Sequence, residues 1–288
     1  MGRKGDVFYL EKELALMRQT SLLFPLFCIW FTLPICFVTT PPLFALEGWA
    51  ATYGGVGIDR AHSIRQTMDG GYIVTGETGT FGDKEFPDIW VLKLKADGTV
   101  EWQKTYGGDR RDVALSIQQT GDGGYVAAGW TDSFGAGLGD WDSWVLKLRS
   151  DGTVEWQKTY GGDKGDEEEE ALSIKQTSEG GYIVAGSTGS FGVGSSDIWV
   201  LKLRVDGSIE WQKTYGGIEW DEADSIQQTS DGGYIVAGDT GSFGPIFEES
   251  SDIWILKLRA DGTVEWQKIY GREYDDGARS VQQTRDGG

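Results

Sequence analysis

The sequence predicts an all-β chain, a β-propeller of four-stranded antiparallel blades, on three observations. A block reading D-x-A-x-S-I-Q-Q-T-x-D-G-G-Y-I-V-A-G and then D-I-W-V-L-K-L-R-x-D-G-T-V-E-W-Q-K-T-Y-G-G recurs four times between Asp59 and Gly271 and begins a fifth time. The closing tyrosines, Tyr53, Tyr106, Tyr160, Tyr215 and Tyr270, return at intervals of 53, 54, 55 and 55 residues, a period that belongs to solenoids, propellers and arrays. Within each block the apolar residues fall into four short runs. No stretch after Gly48 carries an apolar stripe at helical spacing over ten or more residues.

The elements follow in order. In the first copy Ser63–Thr67, Tyr72–Gly76, Asp88–Leu94 and Thr99–Tyr106 are rich in Ile, Val, Trp, Tyr and Thr and are bounded by glycine and aspartate, which reads as four strands. Asp69-Gly70-Gly71 and Asp97-Gly98 supply the positive φ of tight hairpins. The repeat units run over about 59–108, 112–162, 169–217 and 221–271, with a partial unit at 272–288. Trp49–Tyr53 matches only a fourth strand and Ala278–Thr284 only a first, the phase expected where one blade is built from both chain ends. Asp286-Gly287-Gly288 stops just short of the next expected tyrosine, so the chain reads as a fragment: two more strands would close five blades, and further repeats six to eight. An unclosed end exposes a strand edge, which folded proteins avoid.

Residues 1–47 are of another kind. Ser21–Val38 is an apolar run of 18 residues, interrupted by Pro25 and Pro34 and preceded by Arg3, Lys4, Lys12 and Arg18. It reads as a signal peptide, with a cleavage point after Ala45, or as an N-terminal membrane anchor. Either places residues 48–288 outside the cytoplasm, secreted or tethered at the cell surface, with the membrane touched only through this segment. Cys28 and Cys36 lie inside the run, so the repeats hold no cysteine, no disulfide and no thiolate metal site.

Gly98-Thr99-Val100-Glu101-Trp102, with equivalents ending at Trp156, Trp211 and Trp266 and preceded by the V-L-K-L strand, resembles the tryptophan-docking repeat of quinoprotein-like β-propellers. D-G-G-Y-I-V-A-G is similar to the propeller repeats of bacterial and archaeal cell-surface proteins. The resemblance covers nearly everything after Trp49 and implies a fold; its members include dehydrogenases, assembly scaffolds and adhesive modules. No position here matches the side chains with which quinoprotein enzymes surround quinone and calcium.

The net charge of −19 sits on the repeats, since the leader is balanced. Nucleic acid and anionic headgroups would be repelled, whereas neutral glycans, cationic partners and divalent metals are admitted. Catalysis finds little support. The single histidine, His62, occupies a position that other copies fill with Leu115, Leu172, Asp224 and Arg279. Histidine triads and His-ligated zinc are therefore disfavoured, while paired carboxylates of the glycosidase kind stay open. The acid of D-x-A-x-S, present in every copy, reads as a turn carboxylate accepting backbone N–H bonds. Trp90, Trp144, Trp199 and Trp254, together with the docking tryptophans, read as inter-blade core.

The copies differ in length at two connections. Phe81, Phe134, Phe191 and Phe243 precede the next Asp by 7, 8, 6 and 9 residues, and the link from Tyr to Ser spans 10, 10, 13, 10 and 10. Both connections leave a four-stranded blade on the same side, so one face is variable and is the expected place of recognition. It carries aromatics that the repeat does not require, Phe86, Trp141, Trp220, Phe247 and Tyr274, among carboxylates such as Asp140, Glu219 and Glu248. Aromatic planes beside carboxylates suit sugar rings, and clustered oxygens suit calcium, the one cofactor admitted. The reading is an extracellular, non-enzymatic binding or surface-interaction module, with a glycan or a cell-surface protein as partner. A carboxylate-based glycan-cleaving enzyme, a quinoprotein-like dehydrogenase and a purely structural envelope module are the alternatives.

Overall fold

The computed structural model describes residues 49–82, 85–135, 141–162, 168–244 and 250–288; the expected leader lies outside them. The chain divides into residues 1–52 and 53–288, and the strands of the described residues belong to the second unit. In the first unit the described residues, Trp49 to Thr52, are irregular.

Among the described residues sixteen strands form four antiparallel sheets of four. The first holds β1 (Asp59–Gln66), β2 (Tyr72–Thr78), β3 (Asp88–Leu94) and β4 (Val100–Tyr106). The second holds β5 (Asp112–Gln119), β6 (Tyr125–Thr131), β7 (Asp142–Leu148) and β8 (Val154–Tyr160). The third holds β9 (Glu169–Gln176), β10 (Tyr182–Thr188), β11 (Asp197–Leu203) and β12 (Ile209–Tyr215). The fourth holds β13 (Asp221–Gln228), β14 (Tyr234–Thr240), β15 (Asp252–Leu258) and β16 (Val264–Tyr270). Strand order in each sheet is sequence order, the meander that the repeat predicts.

Successive sheets pack face to face. Ile89 and Val91 of the first meet Tyr125, Trp144 and Leu146 of the second; Val126 and Val145 meet Tyr182 and Trp199; Ile183 and Val200 meet Tyr234 and Trp254. The second and third strands of a sheet bury both faces, which is why Y-I-V-A-G and D-I-W-V-L read as continuous apolar runs. The fourth strands, V-E-W-Q-K, are largely exposed edges carrying the Lys and Glu that discourage edge pairing. The first strands lie side by side on the inner flank, where Ile174 N–H donates to Ser116 Oγ (3.3 Å) and Ile226 N–H to Ser173 Oγ (3.3 Å).

Three motif elements have mechanical explanations. Tyr106, Tyr160 and Tyr215 hydroxyls donate to the carbonyls of Gly152, Gly207 and Gly262 in the next sheet at 2.6, 2.6 and 2.5 Å. Those D-G glycines have φ between 76° and 78°, a conformation in which a side chain is strained. The lysine of V-L-K-L folds back on the acid of D-G-G: Lys93 Nζ meets Asp69 at 2.7 Å and Lys147 Nζ meets Asp122 at 2.8 Å. Every complete first strand carries a bulge that skips residue 62, 115, 172 or 224 in register. The glycine opposite is crowded by main chain: a Cβ on Gly129 would lie 1.9 Å from the Val113 carbonyl oxygen.

Three expectations are corrected. The first strand starts at Asp59 rather than Ser63, because the bulge lets pairing continue past the irregular residue. Trp49–Tyr53 and Ala278–Thr284 form no strand, and the sheets among the described residues number four. Both segments still reproduce repeat contacts: Tyr53 Oη donates to the Gly98 carbonyl (2.6 Å) and Val281 N–H to Ser225 Oγ (3.2 Å). The docking tryptophans are not fully buried. Trp102, Trp156 and Trp211 are half-buried, each on an outer edge strand with its ring edge against the next sheet's tyrosine, and Trp266, on the last of the four sheets, is 43% exposed. Trp90, Trp144, Trp199 and Trp254 belong to the core, and Trp130 is buried as well.

Candidate functional site

The two variable connections do share one face, tied by a repeated main-chain bond. Asp112 N–H donates to the Pro87 carbonyl (2.9 Å), Glu169 N–H to Trp141 (2.7 Å), Asp221 N–H to Ser196 (2.8 Å) and Asp276 N–H to Ser251 (2.8 Å). The acid that opens each first strand caps the turns there. Asp112 accepts from Gly108 N–H (2.8 Å), Ser133 Oγ (2.7 Å) and Thr131 Oγ1, and Asp221 accepts from Gly217, Ser242 and Thr240 in the same way. These repeated acids are structural and hold the loops that carry variable residues.

Chemistry changes from copy to copy at two paired positions beside those caps: the second residue of the first strand and its partner on the second strand. They are Arg60 and Glu77, Val113 and Trp130, Glu170 and Ser187, then Glu222 and Asp239. At the junction of the first two sheets the site is closed. Glu77, 1% exposed, accepts from Arg60 (2.7 Å) and in bidentate fashion from Arg111, whose Nε donates to Oε2 (3.0 Å) and Nη2 to Oε1 (3.1 Å). Burial alone would raise this carboxyl, but both guanidinium groups hold it below its usual range. Arg111 in turn lies 5.2 Å from the Trp130 ring centroid, and Trp130 stacks on Trp141 at 4.4 Å.

Between the third and fourth sheets the same positions form an open cleft of about 420 Å³, lined by Glu168, Glu170, Ser187, Gly189, Ser195, Ser196, Trp220 and Glu222. Three carboxylates share it without an ion-pair partner among the described residues. Burial, then the charges of Glu222 and Glu168, push Glu170 up to about 7. Burial and Asp224 raise Glu222 against the opposing charge of Arg279. Trp220 stands on the rim, 41% exposed. Its main chain is fixed by a bridge to Ser196 and by Gly241 N–H donating to its carbonyl (2.8 Å), so the indole is presented by a rigid backbone. The cleft can stack a flat apolar surface on Trp220, accept hydrogen bonds from hydroxyls and, below about pH 7, donate one from Glu170.

The five sequence-predicted site residues do not converge. Trp220 lines this cleft. Trp141 is half-buried against Trp130, and Phe86 is 47% exposed on the loop before β3. Tyr274, 81% exposed, lines a separate concavity with Ile253, Ile269 and Tyr270. Phe247 lies outside the described residues, as do Asp140 and Glu248. Sequence reasoning missed Glu170, Ser187 and Glu222, the residues that give the cleft its polarity. Their signal was available: the unspecified position of D-x-A-x-S reads Arg, Val, Glu, Glu across the copies, a change of charge that a solvated or purely structural position has no reason to concentrate at one end of the strand. Among the described residues no group of three or more His, Cys, Asp or Glu is arranged to hold a metal ion.

No family model matches the chain, and no curated protein matches it. Solved structures do. The chain is similar to a protein of unknown function from Bacteroides caccae, at 12% identity with a TM-score of 0.32 over 81% of this chain and 88% of that one. It is also similar to the Pan2 WD40 domain of Neurospora crassa, at 12% identity and TM-score 0.42 over 73% and 66%. A third is the endo-arabinase of Bacteroides thetaiotaomicron, at 15% identity and TM-score 0.43 over 76% and 82%.

Proposed function

We propose that the repeats are a binding module, carried outside the cytoplasm by the leader, and that the cleft between the third and fourth sheets takes a polyhydroxylated, glycan-like ligand. One observation carries the reading: Trp220, which the repeat does not need, is held exposed by its own backbone over a polar cleft of about 420 Å³. An indole face stacks on the C–H face of a sugar, and Glu168, Glu222 and Ser187 offer acceptors for the hydroxyls around its rim. A glycan array on the full chain, with and without calcium, tests it. Retention of neutral oligosaccharides is expected; retention of none, in either condition, counts against it. Loss of binding on chelation would make calcium part of the site.

A second reading has one observation in its favour. Glu170, pushed up to about 7 by burial and then the charges of Glu222 and Glu168, has the raised pKa expected of a general acid next to a carboxylate. Release of reducing ends from a bound oligosaccharide, abolished by Glu170→Gln, would turn the module into a glycan-cleaving enzyme.

Closure of the blades into a ring belongs to the same proposal. Trp266 and Tyr270 are 43% and 57% exposed on the outer face of the fourth sheet, whereas the equivalent Trp211 and Tyr215 are covered by the sheet that follows them. A further blade with the same D-G-G-Y and D-G hairpins would cover them. Extending the chain by one copy of the repeat should reduce collisional quenching of Trp266, and unchanged quenching in a chain whose added copy is folded by circular dichroism would argue against closure.

A further inference from the structure

The closed and the open junction use the same register positions for opposite charges. The second residue of the first strand is Arg60 in β1 and Glu170 in β9, and the residue ahead of the next sheet is Arg111 before β5 and Trp220 before β13. The sixth residue of the second strand is Glu77 in β2 and Ser187 in β10, and the facing first strand offers Val113 in β5 and Glu222 in β13. Between the first and second sheets two guanidinium groups thus close on one carboxylate, with Arg111 over the Trp130 ring. Between the third and fourth, the equivalents Glu170, Trp220, Ser187 and Glu222 all line the cleft. Both cations have been exchanged, one for an acid and one for an indole.

Acids at neighbouring positions receive a countercharge that those of the cleft lack. Glu77 has Arg60 and Arg111, and Asp224 and Asp239 share Arg279 at 2.7 and 3.7 Å. None of the residues lining the cleft is basic, so Glu168, Glu170 and Glu222 face one another across it. The crowding shows in Glu170, pushed up to about 7 by burial and then by the charges of Glu222 and Glu168. A neutral ligand would strip water from these groups without relieving their repulsion, which is costly. A ligand with an ammonium group relieves it, and supplies in trans what Arg111 supplies in the closed junction: positive charge against carboxylate and beside an indole face. The net charge of −19 favours its approach. A volume of about 420 Å³ is the space of a small organic molecule rather than of an ion alone.

We propose that the glycan taken by this cleft is an amino sugar oligomer, its ammonium group answered by Glu168, Glu170 and Glu222 and its ring stacked on Trp220. The inference rests on the glycan reading of the cleft and adds the charge of the sugar. Neutral sugars of the same shape are still held, more weakly, because they keep the stacking and the hydroxyl contacts and lose the ion pairs.

Titration calorimetry of the full chain at pH 7 tests this with three β-1,4-linked tetrasaccharides, of glucosamine, of N-acetylglucosamine and of glucose. The glucosamine tetramer should bind with about tenfold or higher affinity than either neutral one. Equal affinities would overturn the cationic assignment and leave the glycan reading standing; binding of none of the three would overturn both. Glu222→Gln, a neutral isostere whose fold is checked by its melt, should lower the affinity for the glucosamine tetramer about tenfold and leave each neutral tetramer that binds within about twofold. A variant that weakens charged and neutral sugars alike would mark Glu222 as structural, and wild-type affinity for the glucosamine tetramer would remove its charge from the site. Either result counts against the proposal. Glu168→Gln, at the exposed acid of the three, should act in the same direction and keeps the test decisive if Glu222→Gln does not fold.

Discussion

Two junctions built on one backbone differ in chemistry. Between the first and second sheets, Glu77 is buried under two arginines and the neighbouring Trp130 and Trp141 are stacked, so each polar group and ring is spent on a protein partner. Between the third and fourth, the same register places Glu170 and Glu222, adds Glu168, and leaves Trp220 on the rim with no stacking partner among the described residues. The strands, bulges and capping acids are alike in both. The difference is confined to a few residues per copy, which shows how a repeat separates duties: invariant residues specify the blades, and the variable ones beside the caps decide whether a junction is closed or left open for a ligand.

The largest expected effect lies in the frame that both junctions share. Trp144→Ala removes a side chain that is 1% exposed and should cost about 4 kcal/mol, whereas Trp156→Ala, on the half-buried outer strand, should cost about 1–2 kcal/mol. Denaturant melts check the order; equal losses would mean that the edge tryptophans are as much core as the inner ones.

Next comes the closed junction itself. Glu77→Ala leaves Arg60 and Arg111 facing each other, although both are half exposed and can rehydrate, so a loss of about 2 kcal/mol is expected rather than the full cost of a broken buried pair. A double-mutant cycle between Glu77 and Arg111 measures the coupling, and no coupling would remove the contrast between the junctions.

The open junction should respond with the opposite sign. Glu170 has its pKa raised from 4.5 to about 7, so the native state holds a proton that the unfolded chain has already lost. Its contribution to stability is present below about pH 4.5 and is lost as pH rises to about 7. Glu170→Gln should therefore flatten the pH dependence over that window and stabilise the chain at pH 8 by about 1–2 kcal/mol. Melts of wild type and variant at pH 5 and pH 8 check it; a variant less stable at pH 8 would mean that Glu170 has a favourable partner as a carboxylate.

Much of this was legible in the sequence. The period of Tyr-Gly-Gly fixes the copy boundaries because each tyrosine reaches a glycine of the next sheet, and Asp-Gly fixes the hairpins because only glycine relaxes at positive φ there. The bulge at residues 62, 115, 172 and 224 was legible only as tolerance: a residue skipped in register has no cross-strand partner to constrain it. The exposure of Trp156 was misjudged because the apolar pattern does not say which strand forms the edge. Of the cleft, Trp220 is visible in the sequence as an aromatic without a repeat role, whereas Glu170 and Glu222 occupy a variable position inside a motif whose constant residues are structural. Sequence places Trp141 and Trp220 in one class; only the fold separates the ring that stacks on Trp130 from the ring left at the cleft rim.

That separation gives the most direct test. Any oligosaccharide retained by the full chain is titrated calorimetrically into wild type, Trp141→Ala and Trp220→Ala, each confirmed folded by its melt. Loss of the Trp220 stacking surface should weaken binding about tenfold or more, with stability changed by less than about half a kcal/mol, while Trp141→Ala binds within about twofold of wild type. Wild-type affinity in Trp220→Ala, or an equal loss in both variants, would contradict the assignment of recognition to the open junction.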